Sequence, residues 1–325
     1  MQKIYTLSVK AMNILMKKGY AYERCKKAIR YSCEDINDRK VSGQGICVAV
    51  LDTGIVRHPD FDDRIVAFAD MLHGRTELYD DNSHGTHVSS IIGGSGRMSG
   101  GRYEGMAPKC QLVVVKVLDE KGNGNIGNVL HGIQWVLENR ARFQIRIVNI
   151  SVGTLPSVNE EGAEKLVQAV EALWDVGIVV VTAAGNYGPR PGSITSPGIS
   201  KKVITVGSCD DQFYMEEGKK KRKSYSGRGP TAECVVKPDL LAPGSYITSC
   251  NARYREKGQK PYTMKSGTSM STPVVSGAIA LLLSKYPDMS NVEVKLRLRE
   301  SSIDIGRPQN EQGWGLLNVE KLLKE

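Results

Sequence analysis

Ser269 stands in Lys265-Ser266-Gly267-Thr268-Ser269-Met270-Ser271-Thr272-Pro273, a small polar run that leads into Ala278-Ile279-Ala280-Leu281-Leu282-Leu283. That grammar predicts a tight turn feeding a buried helix. Gly267 permits an unusual turn backbone, and Pro273, lacking an N–H, is expected in the helix's first turn. Ser269 then falls at the helix N-terminus, where unpaired N–H groups and the helix dipole favour negative charge. A serine there suits nucleophilic attack, because its oxyanion develops where it is stabilised. Taken alone, the stretch reads first as a Ser/Thr cap on a core helix.

A nucleophilic hydroxyl needs a base, and the base needs an orienting carboxylate. His84, in Asp81-Asn82-Ser83-His84-Gly85-Thr86-His87-Val88, and Asp52, in Leu51-Asp52-Thr53-Gly54, supply those residue types. His84 and His87, three apart, also admit a shared metal. Against that, no third ligand stands at a familiar spacing, and the zinc-protease pattern with a Glu between the histidines is absent.

The elements that must position these residues alternate in type. Five apolar, β-branched runs read as buried strands: 46–51, 112–117, 145–150, 178–182 and 203–206. Such near-continuous runs fit strands covered on both faces. Between them, Val129, Leu130, Ile133, Val136 and Leu137 mark one helix, and Leu166, Ala169, Val170 and Leu173 another. Ser290 and Glu293 form a capping-box pair for a late helix carrying Val292 and Leu296. The alternation predicts an α/β fold, a mostly parallel central sheet with helices on both faces. Sites in such sheets form beyond the carboxyl ends of the strands. Asp52, Ser151-Val152-Gly153 and Ala183-Ala184-Gly185-Asn186 all follow strands there.

From about residue 43 to 325 the chain resembles the subtilisin-like serine proteases (subtilases). Val48-Ala49-Val50-Leu51-Asp52-Thr53-Gly54, His84-Gly85-Thr86-His87-Val88 and Gly267-Thr268-Ser269-Met270-Ser271-Thr272-Pro273 match that family's three signatures. They stand in the chain order Asp, His, Ser that subtilisin uses. The 94–108 loop resembles most the family's cytoplasmic bacterial branch. The resemblance implies a three-layer subtilisin-like fold and a serine endopeptidase with an acyl-enzyme intermediate. Ser269 is implied as nucleophile, His84 as base and acid, and Asp52 as its orienting carboxylate. Asn186 is implied as an oxyanion donor beside the Ser269 amide. Substrate is expected as an added strand, between Ser151-Val152-Gly153 and Gly122-Asn123-Gly124. Ala183, Ala184 and Gly185 are expected to line the P1 pocket, with Thr195 as far wall. Small uncharged walls imply a broad or apolar P1 preference, in protein turnover or peptide processing.

Two departures bear on regulation and metal. About 40 residues precede the catalytic region, read as a basic, helical extension over 1–40 ahead of a peptidase domain over 41–325. Many subtilases carry a larger propeptide, so the extension is expected to shield or restrain the cleft. The chemistry requires no cofactor. The family's structural calcium site uses an Asp in a His-Pro-Asp segment, which His58-Pro59-Asp60 supplies, making Asp60 the metal candidate. The loop expected to complete it, 93–102, carries two arginines and no carboxylate. Calcium wants oxygen ligands, so the site is expected to be lost or reshaped.

Composition narrows the setting. The 325 residues are 40% apolar, with a formal net charge of +9. Lys219-Lys220-Lys221-Arg222-Lys223 reads as a solvated hairpin tip rather than a nucleic-acid patch, because Tyr214 and Tyr225 alone are thin aromatic support and no binding motif accompanies them. No apolar run reaches the roughly 20 residues of a membrane span. The seven cysteines are odd in number and dispersed, and no secretory signal is read at the start. Together these predict reduced thiols and a cytoplasmic setting.

Overall fold

The computed structural model describes residues 21–155, 160–211 and 224–324. The helical pattern expected before residue 21 and the basic tip at 219–223 lie outside the described residues. Seven strands form one sheet: β1 (Cys47–Asp52), β2 (Ile65–Asp70), β3 (Gln111–Lys116), β4 (Ile145–Ile150), β5 (Val179–Ala183), β6 (Ile204–Ser208) and β7 (Leu240–Ala242). Their order is β2-β3-β1-β4-β5-β6-β7, and every pairing is parallel. The five expected strands are present within a residue or two. β2 and β7 carry too short or too mixed an apolar signal to stand out. A separate antiparallel hairpin, β8 (Ile247–Cys250) with β9 (Tyr262–Lys265), lies outside the sheet.

Helices cover both faces, as expected. The main ones are α1 (Ala21–Ala28), α2 (His84–Gly93), α3 (Ile126–Asn139), α4 (Glu160–Asp175), α5 (Thr268–Lys285), α6 (Asn291–Ser301) and α7 (Val319–Leu323). α2 and α5 pack together, and Ser276 of α5 donates to Asn149 of β4 at 2.9 Å. α3 and α4 pack on the opposite face. There Val129, Ile133 and Val136 are buried at helical spacing, and Asn125 caps the start by accepting from the Gly127 amide at 2.8 Å. The capping box at Ser290 and Glu293 forms as expected. Its helix is turned otherwise, however: Val294 and Leu298 are buried, while Val292 and Leu296 are half exposed.

The second half of the 1–40 segment is tied into this core. Cys25, Ile29 and Tyr31 are buried. The Tyr31 hydroxyl donates to the Met106 carbonyl at 2.7 Å, and the Val319 amide of α7 donates to the Ile29 carbonyl at 2.8 Å. Residues 25–31 therefore join the loop after α2 to the C-terminal helix. Truncating Ile29, which is 1% exposed, leaves a cavity at that junction. Ile29→Ala is expected to lower unfolding free energy by about 2–4 kcal/mol, read by denaturant titration in an inactive background. Unchanged stability would mean the segment is dispensable to the fold.

Candidate functional site

The chain runs from β1 outward to β2 and β3, then crosses to β4 on the other side of β1. A crevice opens where the strand order switches, and Asp52 ends β1 there. Its side chain is fully buried. Asp52 Oδ1 accepts from the Thr53 amide at 2.7 Å and stands 2.7 Å from His84 Nδ1. Oδ2 has no donor among the described residues. His84 opens α2, with its side chain 23% exposed. Burial acts to lower the His84 pKa, but the Asp52 charge and hydrogen bond outweigh it, so the net shift is upward.

The two are brought together by residues that sequence reasoning missed. Asp80 accepts from Thr53 Oγ1 at 2.8 Å, from the Ser83 and Thr86 amides at 2.8 Å each, and from Thr86 Oγ1 at 2.6 Å. Thr53 Oγ1 in turn accepts from the Gly85 amide at 2.8 Å. One carboxylate thus fixes both the turn after Asp52 and the start of α2, whose free N–H groups favour it. Gly85 allows this approach, since a Cβ there would overlap the Gly54 carbonyl. Lys116, fully buried, donates to the Thr53 and Leu118 carbonyls and to Asp81, at 2.7, 2.8 and 2.8 Å. A lysine inside an otherwise apolar strand run was the available signal for it. For Asp80 the signal was a carboxylate four residues before a helix-opening histidine.

Ser269 is the second residue of α5, which begins at Thr268. Pro273 lies in the second turn of that helix, not the first. With no N–H, it leaves the Ser269 carbonyl without its i+4 donor. Ser151 Oγ lies 3.4 Å from that carbonyl and donates to it. The Ser269 hydroxyl donates to the Ser151 carbonyl at 3.0 Å, and among the described residues no hydrogen bond joins it to His84. Asn186 Oδ1 accepts from the Thr268 amide at 2.9 Å and hydroxyl at 3.1 Å. That fixes the amide, with no hydrogen bond to Nδ2 among the described residues.

His84, Ser269 and Asn186 all line one cavity of about 460 Å³. Of the expected substrate contacts, Gly122, Gly124, Ser151, Val152, Gly153, Ala183, Gly185 and Thr195 line it too. Two do not. Asn123 is exposed and its amide is bonded to Asp119, and Ala184 is fully buried, its backbone engaged by Val206 and Thr195. Gly185 has φ +89°, and a Cβ there would run into Thr195. Leu118, Ile126, Val129 and Leu166 form a further apolar part of the lining that was not foreseen.

His84 and His87 do not share a site. His87 is buried, with Nε2 3.1 Å from the Ile247 carbonyl and 3.2 Å from that of Thr263. Burial, then Lys265 and His84, push its pKa down to about 3, so it is a neutral core histidine. Asp60 accepts from the Met98 amide at 3.0 Å, the Tyr262 hydroxyl at 2.8 Å and Cys250 Sγ at 3.4 Å. A thiol sulfur beside the carboxylate, and His58 Nδ1 3.6 Å from it, do not fit an oxygen-only calcium shell.

The Asp52 charge is what raises the His84 pKa. In a Ser269→Ala protein, NMR titration of His84 is expected to show an apparent pKa above that of an ordinary histidine. With Asp52→Asn added, burial and the Lys265 charge are opposed only by the smaller effect of Asp80, and the value is expected to fall below it. No downward movement would contradict the assignment.

The Subtilase family model matches residues 43–315. Serine protease AprX of Bacillus subtilis (strain 168) is 42% identical over 298 residues, 87% of this chain and 67% of that protein. Subtilisin DY of Bacillus licheniformis is 33% identical over 302 residues, 90% of this chain and 98% of that protein. The crystal structure of a cold adapted subtilisin-like serine proteinase superposes with a TM-score of 0.69 at 30% identity, covering 86% of this chain and 90% of that one. A parallel α/β sheet with an Asp–His pair and a serine around one cleft at its switch point fits that kinship: the chain belongs to the subtilase family and is a subtilisin-type serine endopeptidase.

Proposed function

We propose that Ser269, His84 and Asp52 cleave peptide bonds through an acyl-enzyme. Ser269 Oγ attacks the substrate carbonyl carbon while His84 Nε2 takes its proton. The carbonyl π electrons move to oxygen, which Asn186 Nδ2 and the Ser269 amide receive. As the oxyanion collapses, the C–N bond breaks and His84 gives the proton to the leaving amine. Water repeats the sequence on the ester and frees Ser269. Asp52 holds the imidazole with Nδ1 protonated and stabilises the imidazolium. The observation that carries this reading is the 2.7 Å Asp52–His84 contact opening on a cavity that Ser269 and Asn186 also line. Ser269 Oγ, bonded to the Ser151 carbonyl in the free enzyme, gives up that bond to engage His84. Hydrogen bonds of this kind commonly tighten only with substrate bound.

The substrate lies extended between Ser151–Gly153 and the 122–124 loop, adding its backbone as a strand. The walls made by Ala183, Gly153, Gly185 and Thr195 are small and uncharged, which favours apolar P1 side chains of moderate size. All seven cysteines stand as free thiols, which supports protein turnover or peptide processing in a reducing, cytoplasmic setting.

A fluorophosphonate probe is expected to label the wild-type protein at Ser269 and to leave Ser269→Ala unlabelled. No labelling of the wild type would contradict the proposal. Ser269→Ala is expected to lower kcat by about 10⁶, and Asn186→Ala by about 10²–10³. Both magnitudes are those known for subtilisin's own residues, not values derived from this geometry. A peptide library cleaved mainly after charged residues would overturn the P1 assignment.

A further inference from the structure

Three side chains outside the cleft converge in the core: His58, Asp60 and Cys250, each buried. Cys250 Sγ is 3.2 Å from His58 Nδ1 and 3.4 Å from Asp60 Oδ2, and His58 Nδ1 is 3.6 Å from Asp60 Oδ1. Ligands around tetrahedral zinc, at the usual Zn–N, Zn–O and Zn–S lengths, stand about 3.3–3.6 Å apart. We infer that His58, Asp60 and Cys250 form a buried site for a borderline-soft divalent cation of the zinc class.

The surroundings are those of a metal site. A ligating histidine donates its other ring N–H outward, commonly to a backbone carbonyl. His58 Nε2 stands 3.2 Å from the Pro261 carbonyl, which makes Nδ1 the ring's acceptor; it faces Cys250 Sγ and takes the Asp60 amide at 3.2 Å, a hydrogen bond that a bound cation replaces. Ligating carboxylates are themselves held by hydrogen bonds. The Met98 amide and Tyr262 hydroxyl hold Asp60 at 3.0 and 2.8 Å. Ser90 Oγ lies 3.0 Å from Cys250 Sγ, so it and the Tyr262 oxygen are at hand for a fourth position. The Asp60 carboxylate and a Cys250 thiolate bring two negative charges, which a divalent cation cancels. Binding displaces the thiol proton to solvent. Sulfur and nitrogen donors select against calcium and magnesium.

The site joins three elements. His58 and Asp60 lie in the loop after β1, Cys250 ends β8, and Ser90 lies on α2 behind His84. A bound cation therefore fastens the histidine helix to the β8–β9 hairpin. A surface cavity of about 350 Å³, lined by Arg57, Arg97 and Arg255 as well as Asp62 and Asp63, reaches His58.

The test uses the full chain with Ser269→Ala, so that autolysis does not intrude, and with the less buried thiols removed by Cys33→Ser and Cys234→Ser. After chelation and dialysis, Co²⁺ is added. One Co²⁺ per chain is expected, with a thiolate-to-cobalt charge-transfer band and tetrahedral d–d bands, all displaced by Zn²⁺ and untouched by Ca²⁺. Zn²⁺ is expected to raise the Tm, and Tyr262→Phe to weaken affinity about 10-fold. Cys250→Ser abolishes the charge-transfer band, with folding checked by circular dichroism. His84→Ala leaves it intact, which separates this site from the cleft. Absence of the band in the protein with Cys250 present would overturn the proposal without recourse to any variant of the site. So would a band that persists unchanged in folded Cys250→Ser.

Discussion

A carboxylate taken out of water at the end of a parallel strand must be answered by donors, and Asp52 has two. They are the Thr53 amide and the His84 ring, both at 2.7 Å from Oδ1. Its other oxygen has none among the described residues. This is a carboxylate whose charge is only partly met by its surroundings. That residual charge falls on the imidazole beside it, and the rest of the site depends on keeping the two in register.

Register is kept at one remove. Asp80 holds the turn after Asp52 and the first turn of α2 with the same two oxygens, and Lys116 ties that turn to Asp81 and Leu118. The serine arrives separately, on α5. There the helix interior carries a proline, and the freed carbonyl is met by Ser151 from the end of β4. Ser151 thus touches Ser269 twice, through its own hydroxyl and through its carbonyl. The cleft edge after β4 and the helix that presents the serine are consequently one bonded unit. Thr268 extends it to Asn186 on the far side.

Much of this was legible in the chain. The parallel sheet followed from five continuous β-branched runs, which only a doubly covered strand accommodates. Asp52, His84 and Ser269 were singled out by type, and Asp52 also because it followed a strand whose end had to face the crevice. What stayed hidden was of two kinds. Short elements such as β7 and the β8–β9 hairpin are specified by their neighbours rather than by their own pattern. Long-range polar contacts have no periodicity at all. Asp80 gathers partners from 27 residues upstream as well as from its own loop, and His58 with Asp60 meets Cys250 some 190 residues on. Pro273 was misplaced by one turn because the expected first-turn preference ignores a carbonyl partner supplied from another strand. Asp60 was named the metal candidate from its tripeptide, with the calcium site expected to be lost or reshaped; what the sequence did not reveal is that Met98, Tyr262 and Cys250 set its surroundings.

The central claim is that three separately anchored side chains act as one device, with His84 poised by Asp52 on one side and Ser269 on the other. A peptide chloromethyl ketone with an apolar P1 residue tests it directly, read by peptide mapping. Hemiketal formation at Ser269 presents the ketone's chloromethyl carbon to His84, whose Nε2 displaces chloride. Rapid alkylation at His84 in the wild type, slowed by orders of magnitude in Ser269→Ala, is the predicted result. Equal alkylation of His84 in both proteins, or modification elsewhere in the chain, would contradict the account.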